Sequence, residues 1–262
     1  MKKTSKIIMI IAILILIALI GYVGYGIYQK TTYTSQNPIA TMEVEGFGTM
    51  KIELYPDMAP NTVKNFITLS NRGFYDGLTF HRIISDFMIQ GGDKEGTGKG
   101  SPTLSDLKDG GSDENYAIKG EFSINGYTKN TLRHEKGVIS MARSDYSQMG
   151  LYEEGYNSAG SQFFIMTETN SNLNGQYAAF GKVIEGLDVL DKIKEVEVKK
   201  ESTDGEDSKD SEASTPVNPP VIKSIRVDTF GVEYGEPETV KPFDYSNWLS
   251  EKYGIDASSL NK

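Results

Sequence analysis

Short runs in which apolar and polar residues alternate, each ended by glycine or another turn residue, recur from Ile39 to Val227 and restrict the chain to a mainly β fold. Met50-Lys51-Ile52-Glu53-Leu54 alternates with period 2, as does part of Ala40 to Glu45, and Gly46-Phe47-Gly48 between them reads as a hairpin turn. Further β-rich runs fall at Thr79 to Ile84, Phe87 to Gly91, Val138 to Ala142, Gln162 to Met166, Phe180 to Ile184 and Val221 to Val227. Helical spacing is confined, within this region, to two places. Pro60 suits a first helical turn and Val63, Phe66 and Ile67 follow at i, i+3 and i+4, so Pro60 to Asn71 is predicted helical and closed by Gly73. Leu187, Leu190 and Ile193 give a second, short helix after Gly186. Many short strands with glycine-rich turns and two helices point to a closed antiparallel β-barrel with helical caps.

With 262 residues, 38% of them hydrophobic, the chain has room for one sizeable domain plus appendages. A formal charge of -9 opposes the phosphate backbone, so no nucleic-acid partner is expected. The chain has no cysteine, which excludes disulfides, a thiol nucleophile and the acylated cysteine of bacterial lipoproteins. Its two histidines, His81 and His134, have no companions at metal-ligand spacing, so no metal and no cofactor are expected.

Lys2, Lys3 and Lys6 precede an uncharged run from Ile7 to Tyr28, about 33 Å long as a helix at ~1.5 Å per residue. That length matches a hydrocarbon core of ~30 Å and predicts a transmembrane signal-anchor helix over residues 7–28, after a cytoplasmic stub of residues 1–6. The lysines before the run outnumber Lys30 after it, which places everything beyond on the outside of the cell membrane. Tyr22, Tyr25 and Tyr28 would lie at the outer interface. The alternative is a removable signal peptide, for which Gly24-Tyr25-Gly26 is a poor cleavage site, and the domain would then be secreted. Residues 29–38 read as a tether and residues 39–231 as the folded domain.

Two stretches lack core character. Lys94 to Gly120 reads as long loops, and Gly96-Thr97-Gly98-Lys99-Gly100 within it lacks the spacing and the hydroxyl residue of a phosphate-binding loop. Glu201 to Ser214 has Ala213 as its one apolar residue, so a disordered acidic insertion is expected over about residues 198–218, interrupting the domain. The tail, residues 232–262, carries the sole tryptophan. Tyr245, Trp248 and Leu249, with Asp244 as N-cap, predict a small amphipathic helix that either docks on the barrel or binds a partner.

The segment Phe80-His81-Arg82-Ile83-Ile84-Ser85-Asp86-Phe87-Met88-Ile89-Gln90-Gly91-Gly92-Asp93 closely resembles the signature of the cyclophilin family. Gly137-Val138-Ile139-Ser140-Met141-Ala142-Arg143, Ser158-Ala159-Gly160-Ser161-Gln162-Phe163-Phe164-Ile165 and Phe180-Gly181-Lys182-Val183-Ile184-Glu185-Gly186 follow in the family's order. The resemblance covers Ile39 to Gly231 apart from the acidic insertion. It implies an eight-stranded closed antiparallel barrel capped by two helices, and peptidyl-prolyl cis/trans isomerisation of exported or surface polypeptides without a cofactor.

An Xaa-Pro bond needs no bond broken, only a barrier of ~18–20 kcal/mol of amide resonance crossed. As the amide twists, the prolyl nitrogen regains a lone pair that a guanidinium can hydrogen-bond, which favours the transition state over the planar ground state. Arg82, the one cation in an apolar strand pair, is the candidate catalytic donor, and lysine would be a poor substitute. Strand alternation puts Met88 and Gln90 on one face, and Gln162, Phe164 and Met166 on another. Phe87, Met88, Phe164 and Leu173 would form an apolar cup for the proline ring, while Gln90, Gln162 and the backbone at Ala142 would hold the flanking peptide. Two positions depart from the pattern of many eukaryotic members. Asn172 stands where they have tryptophan, and Tyr177 stands where they have a rim histidine. The family links that tryptophan to cyclosporin, so weak cyclosporin binding is expected. His81 should face away from the pocket in a structural hydrogen bond, and His134 should be structural too. The competing reading is a proline-segment binding chaperone or scaffold. A hydrolase lacks a plausible nucleophile and base.

Overall fold

The alternating runs form the strands they predict, in a computed structural model that describes residues 3–32, 36–199 and 213–254. Two compact units result, residues 1–36 and 37–262. The first consists of helix α1, Lys3–Thr32, longer at both ends than the span expected from the sequence. Among the described residues no helix is long and apolar enough to cross a membrane, so the expected transmembrane helix is not found among them. The helical residues with described side chains are all exposed, from Met9 to Gly24.

The second unit contains, in chain order, β1 (Ile39–Val44), β2 (Gly48–Leu54), α2 (Pro60–Asn71), β3 (Phe80–Ile84), β4 (Met88–Gly91), α3 (Leu104–Leu107), β5 (Val138–Met141), α4 (Tyr152–Tyr156), β6 (Phe163–Met166), β7 (Ala179–Glu185), α5 (Leu187–Lys194), β8 (Val198–Lys199), β9 (Thr215–Pro216), β10 (Ile222–Asp228) and α6 (Tyr245–Tyr253). Eight strands form one antiparallel sheet in the order β10-β1-β2-β7-β5-β6-β4-β3. The expected closed barrel is corrected to an open, curled sheet. Among the described residues its two edges are joined by a single isolated bridge just ahead of β3 and β10, Thr79 to Val221, with hydrogen bonds from Phe80 N to Pro220 O (3.0 Å), Ile222 N to Leu78 O (2.7 Å) and Gly77 N to Ile222 O (2.8 Å) beside it. Pro219 and Pro220 have no N–H to donate, so the seam cannot extend into a ladder. Past Phe80, β3 turns instead to the strand-like return segment, where Ile83 N donates to Ser214 O (2.7 Å).

The inner face of the sheet packs Met42, Ile52, Ile83, Ile89, Ile139 and Ile165 with the apolar stripes of α2 and α5. Phe66 of α2 is the centre of an aromatic cluster, 5.1 Å from Phe180, 5.4 Å from Tyr75 and 5.8 Å from Phe163 between ring centroids. Gly92 shows why this packing excludes a side chain. It has φ +86°, and a Cβ there would lie 2.6 Å from the carbonyl oxygen of Ser161.

Much of the acidic insertion, residues 200–212, lies outside the described residues. Its flanks are ordered, correcting the expected limits: β8 pairs with β9 through Val198–Pro216 and Lys199–Thr215. Of the tether, residues up to Thr32 are helical and residues 33–35 lie outside the described residues. The tail helix forms as α6, with the Asp244 carboxylate accepting from Asn247 N at 2.9 Å.

Candidate functional site

Register brings the candidate residues together. Arg82 lies opposite Gln90 in the β3–β4 ladder, and Gln90 lies opposite Phe164 in the β4–β6 ladder. Cross-strand partners share a face, so the two sets that alternation placed on separate faces of their own strands occupy one face of the sheet. It is the outer face, opposite the core residues Ile83, Ile89 and Ile165. Here a second apolar cluster forms from Ile84, Met88, Val138, Phe164, Met166 and Ala179, with Phe87, Leu173 and Tyr177 packed at its rim.

Within this cluster is a hollow of about 170 Å³, lined by Arg82, Phe87, Met88, Gln90, Ala142, Arg143, Phe164, Leu173 and Tyr177. Met88 and Phe164, both buried, make its floor. Arg82 Nη1 sits 3.8 Å from Met88 Sδ, which holds the guanidinium at the edge of the apolar surface. Eight of the nine expected site residues line the hollow. The ninth, Gln162, lines an adjoining cavity of about 310 Å³ that shares Gln90, Ala142 and Arg143 with it. Gln162 accepts from Gln90 Nε2 (3.0 Å) through Oε1, and its own Nε2 donates to the carbonyls of Gly98 (3.1 Å) and Gly100 (3.0 Å). Both donor hydrogens are thereby committed to the loop, and Gln162 positions Gln90.

Of two further neighbours of the hollow, Arg143 was passed over in the sequence, while His134 was expected to be structural and is. Arg143 is a second cation at its rim, and its guanidinium carbon lies 4.5 Å from the Tyr177 ring centroid and 5.0 Å from that of Tyr156. It also donates from Nε to Gln176 O and from Nη1 to Ser144 O, each at 3.0 Å. These contacts fix Tyr177 as a wall. His134 backs Phe164, as detailed below. The signal for both was present in the motif, an arginine after Met141-Ala142 and a histidine before Gly137, but nothing in the spacing assigns them a partner.

His81 differs from expectation. β3 bulges between Phe80 and Arg82, so His81 has no ladder partner. Its two ring nitrogens are buried without a hydrogen-bond partner, which corrects the expected structural hydrogen bond. Burial lowers its pKa, with Asp93 opposing that shift and Arg82 adding to it. The neutral ring at physiological pH limits the desolvation cost. Among the described residues no group of three or more His, Asp or Glu is placed to hold a metal ion.

The candidate site is thus an apolar hollow on the outer face of a curled antiparallel sheet, with a guanidinium and amides at its rim. A family model described as cyclophilin type peptidyl-prolyl cis-trans isomerase/CLD matches residues 39–227. The chain is 42% identical over 152 residues to peptidyl-prolyl cis-trans isomerase B of Bacillus subtilis, covering 58% of this chain and 87% of that one. It is 41% identical over 154 residues to peptidyl-prolyl cis-trans isomerase-like 1 of Neurospora crassa, covering 59% and 80%. A cyclophilin type isomerase of Cryptosporidium parvum, solved in the presence of the dipeptide Ala-Pro, superposes with a TM-score of 0.56 at 28% identity, covering 72% of this chain and 98% of that one. The chain belongs to the cyclophilin family and is a peptidyl-prolyl cis/trans isomerase.

Proposed function

We propose that the chain accelerates rotation about Xaa-Pro bonds of exported or surface polypeptides, with Arg82 donating a hydrogen bond to the prolyl nitrogen as the amide twists. The observation that carries this reading is the placement of Arg82 beside the floor of Met88 and Phe164, in register with Gln90. The twisted amide is less polar than the planar one, so an apolar cup of Phe87, Met88, Phe164 and Leu173 favours it, while the guanidinium acts only when the nitrogen lone pair has returned. Gln90 and the backbone at Ala142 restrain one side of the bond while the other swings. Tyr177 closes the rim with its ring. Isomerisation of a proline peptide is expected with the chain and to fall on the order of 100-fold to 1000-fold with Arg82→Ala. An unchanged rate in the variant removes Arg82 from the mechanism.

Export is supported by Lys2, Lys3 and Lys6 ahead of an uncharged run, with Lys30 after it. We place the domain outside the cytoplasm, held at the cell membrane by its N-terminal segment. Cell fractionation with sequencing of the mature N-terminus tests this. Recovery in the cytoplasm overturns it, and a mature chain starting near Tyr28 replaces retention with release.

A further inference from the structure

The segment beyond β10 is laid along the domain by a series of specific contacts. Lys108 Nζ pairs with Glu236 at 3.1 Å. The Asn61 side chain donates to Glu238 O (2.8 Å) and accepts from Glu238 N (2.7 Å). Ala117 and Val240 exchange two backbone hydrogen bonds, 2.9 and 2.8 Å. These anchors bring Phe243 and Tyr245 against Tyr146 in the loop that follows β5. There Tyr245 stacks on Tyr146, ring centroids 5.7 Å apart and planes 9° from parallel, and Trp248 stacks on Tyr245 at 5.8 Å and 22°. Phe243 meets Tyr146 at 5.6 Å and Trp248 at 6.3 Å.

Docking alone does not account for this set. α6 buries only Leu249, and Tyr146, Phe243, Tyr245 and Trp248 all stay half-buried, with the Lys252 ammonium 4.6 Å from the Trp248 ring centroid. The surface is continuous with the catalytic groove, because Tyr146 lines the 310 Å³ cavity that shares Gln90, Ala142 and Arg143 with the hollow. Stacked rings offer apolar area at low entropic cost, and a flexible chain emerging from the groove would meet them first.

Resting on the isomerase reading above, we propose that Tyr146, Phe243, Tyr245 and Trp248 form a second binding platform for the flank of the polypeptide whose proline occupies the hollow. It takes apolar and aromatic side chains of that flank, and so selects unfolded polypeptide over short peptides. Binding remote from the twisting bond is felt equally in ground and transition states, so it acts on KM.

Trp248 is the only tryptophan, so its emission reports this site. The experiment titrates the full chain with a tryptophan-free peptide of about ten residues, ~33 Å extended, that carries a central proline and aromatic flanks. A proline tetrapeptide is the comparison. The long peptide is expected to shift the Trp248 emission and shield it from acrylamide, with the tetrapeptide doing neither. Trp248→Ala and Tyr245→Ala are each expected to lower the preference for the long substrate, read as the ratio of kcat/KM values, on the order of 5-fold to 30-fold through KM. Trp248→Phe should retain most of the preference. An emission unmoved by a long peptide that is nonetheless isomerised overturns the proposal, as do equal losses for both substrates, which would make the tail a brace. Absence of turnover in the unaltered chain overturns the isomerase reading instead, and the emission titration still reads binding.

Discussion

The imidazole of His134 lies against the ring of Phe164, centroids 6.0 Å apart and planes 17° from parallel. Its nitrogens face Asn174 Oδ1 (3.3 Å) and Ser140 Oγ (3.1 Å), so a ring buried behind the hollow fixes the floor residue in front of it. Burial lowers the His134 pKa from 6.5, with Asn174 opposing the shift, and burial also lowers that of His81. A depressed histidine pKa means the unfolded chain binds the proton more readily. Stability from both rings is therefore complete above about pH 6.5 and is lost as pH falls from there through the depressed folded values. Unfolding followed between about pH 8 and pH 5 should show the decline, and a His81→Gln, His134→Gln double variant should flatten it. An undiminished slope in the double variant assigns the decline to carboxylates.

Arg82→Lys tests whether charge alone suffices. A lysine ammonium is a compact point charge with no planar fork, and it would have to reach the same point over the Met88 sulfur from a flexible stem. Turnover is expected to fall on the order of 10-fold to 100-fold with KM little changed, since the lost bond forms only in the twisted state. A variant as active as the parent would show that any nearby positive charge serves.

Helix α2 begins at Pro60 after Ala59, which has no side-chain cap to offer. The buried carboxylate of Glu121, from a distant loop, supplies it, accepting from Asn61 N (3.0 Å), Thr62 N (2.8 Å) and Thr62 Oγ1 (2.7 Å). Negative charge at this end also complements the helix dipole. Glu121→Ala leaves those donors unpaired and should destabilise the fold by about 2–4 kcal/mol in denaturant unfolding. Glu121→Gln keeps an acceptor and should cost less.

Asn172 is exposed at the end of the loop that carries Leu173 into the hollow. It presents no indole to a bulky apolar ligand, so cyclosporin is expected to bind weakly while proline peptides still turn over. Titrating isomerisation with cyclosporin checks this, and tight inhibition contradicts it. Asn172→Trp should tighten the inhibition.

The strands and the helices α2 and α5 were legible because each is written in a local period: two residues for Met50 to Leu54, three and four for Val63, Phe66 and Ile67. What joins them is not local. Gln90 and Phe164 are neighbours through a ladder between segments far apart in sequence, and alternation within each strand cannot say which faces coincide. The same holds for Glu121 at the head of α2, for Arg143 against Tyr177, and for the tail meeting Tyr146. The seam shows the converse: Pro219 and Pro220 were visible, but which edge they would interrupt depended on the sheet order. The bulge that orphans the His81 ring is likewise a property of two strands and not of one.

Gln162 provides a test in which the sign of the change separates positioning from direct peptide binding. Its amide nitrogen faces two carbonyl oxygens, those of Gly98 and Gly100, and its oxygen receives Gln90. Gln162→Ala removes all three bonds, loosening the loop and Gln90, and should raise KM modestly. Gln162→Glu has the same shape but places a carboxylate against the two carbonyls, where repulsion replaces two donated bonds at a half-buried position. The glutamate variant should therefore be the worse of the two, in KM and in thermal stability alike. If Gln162 instead met the peptide directly, a carboxylate could still accept from its backbone N–H, and the glutamate variant would bind substrate at least as well as the alanine one.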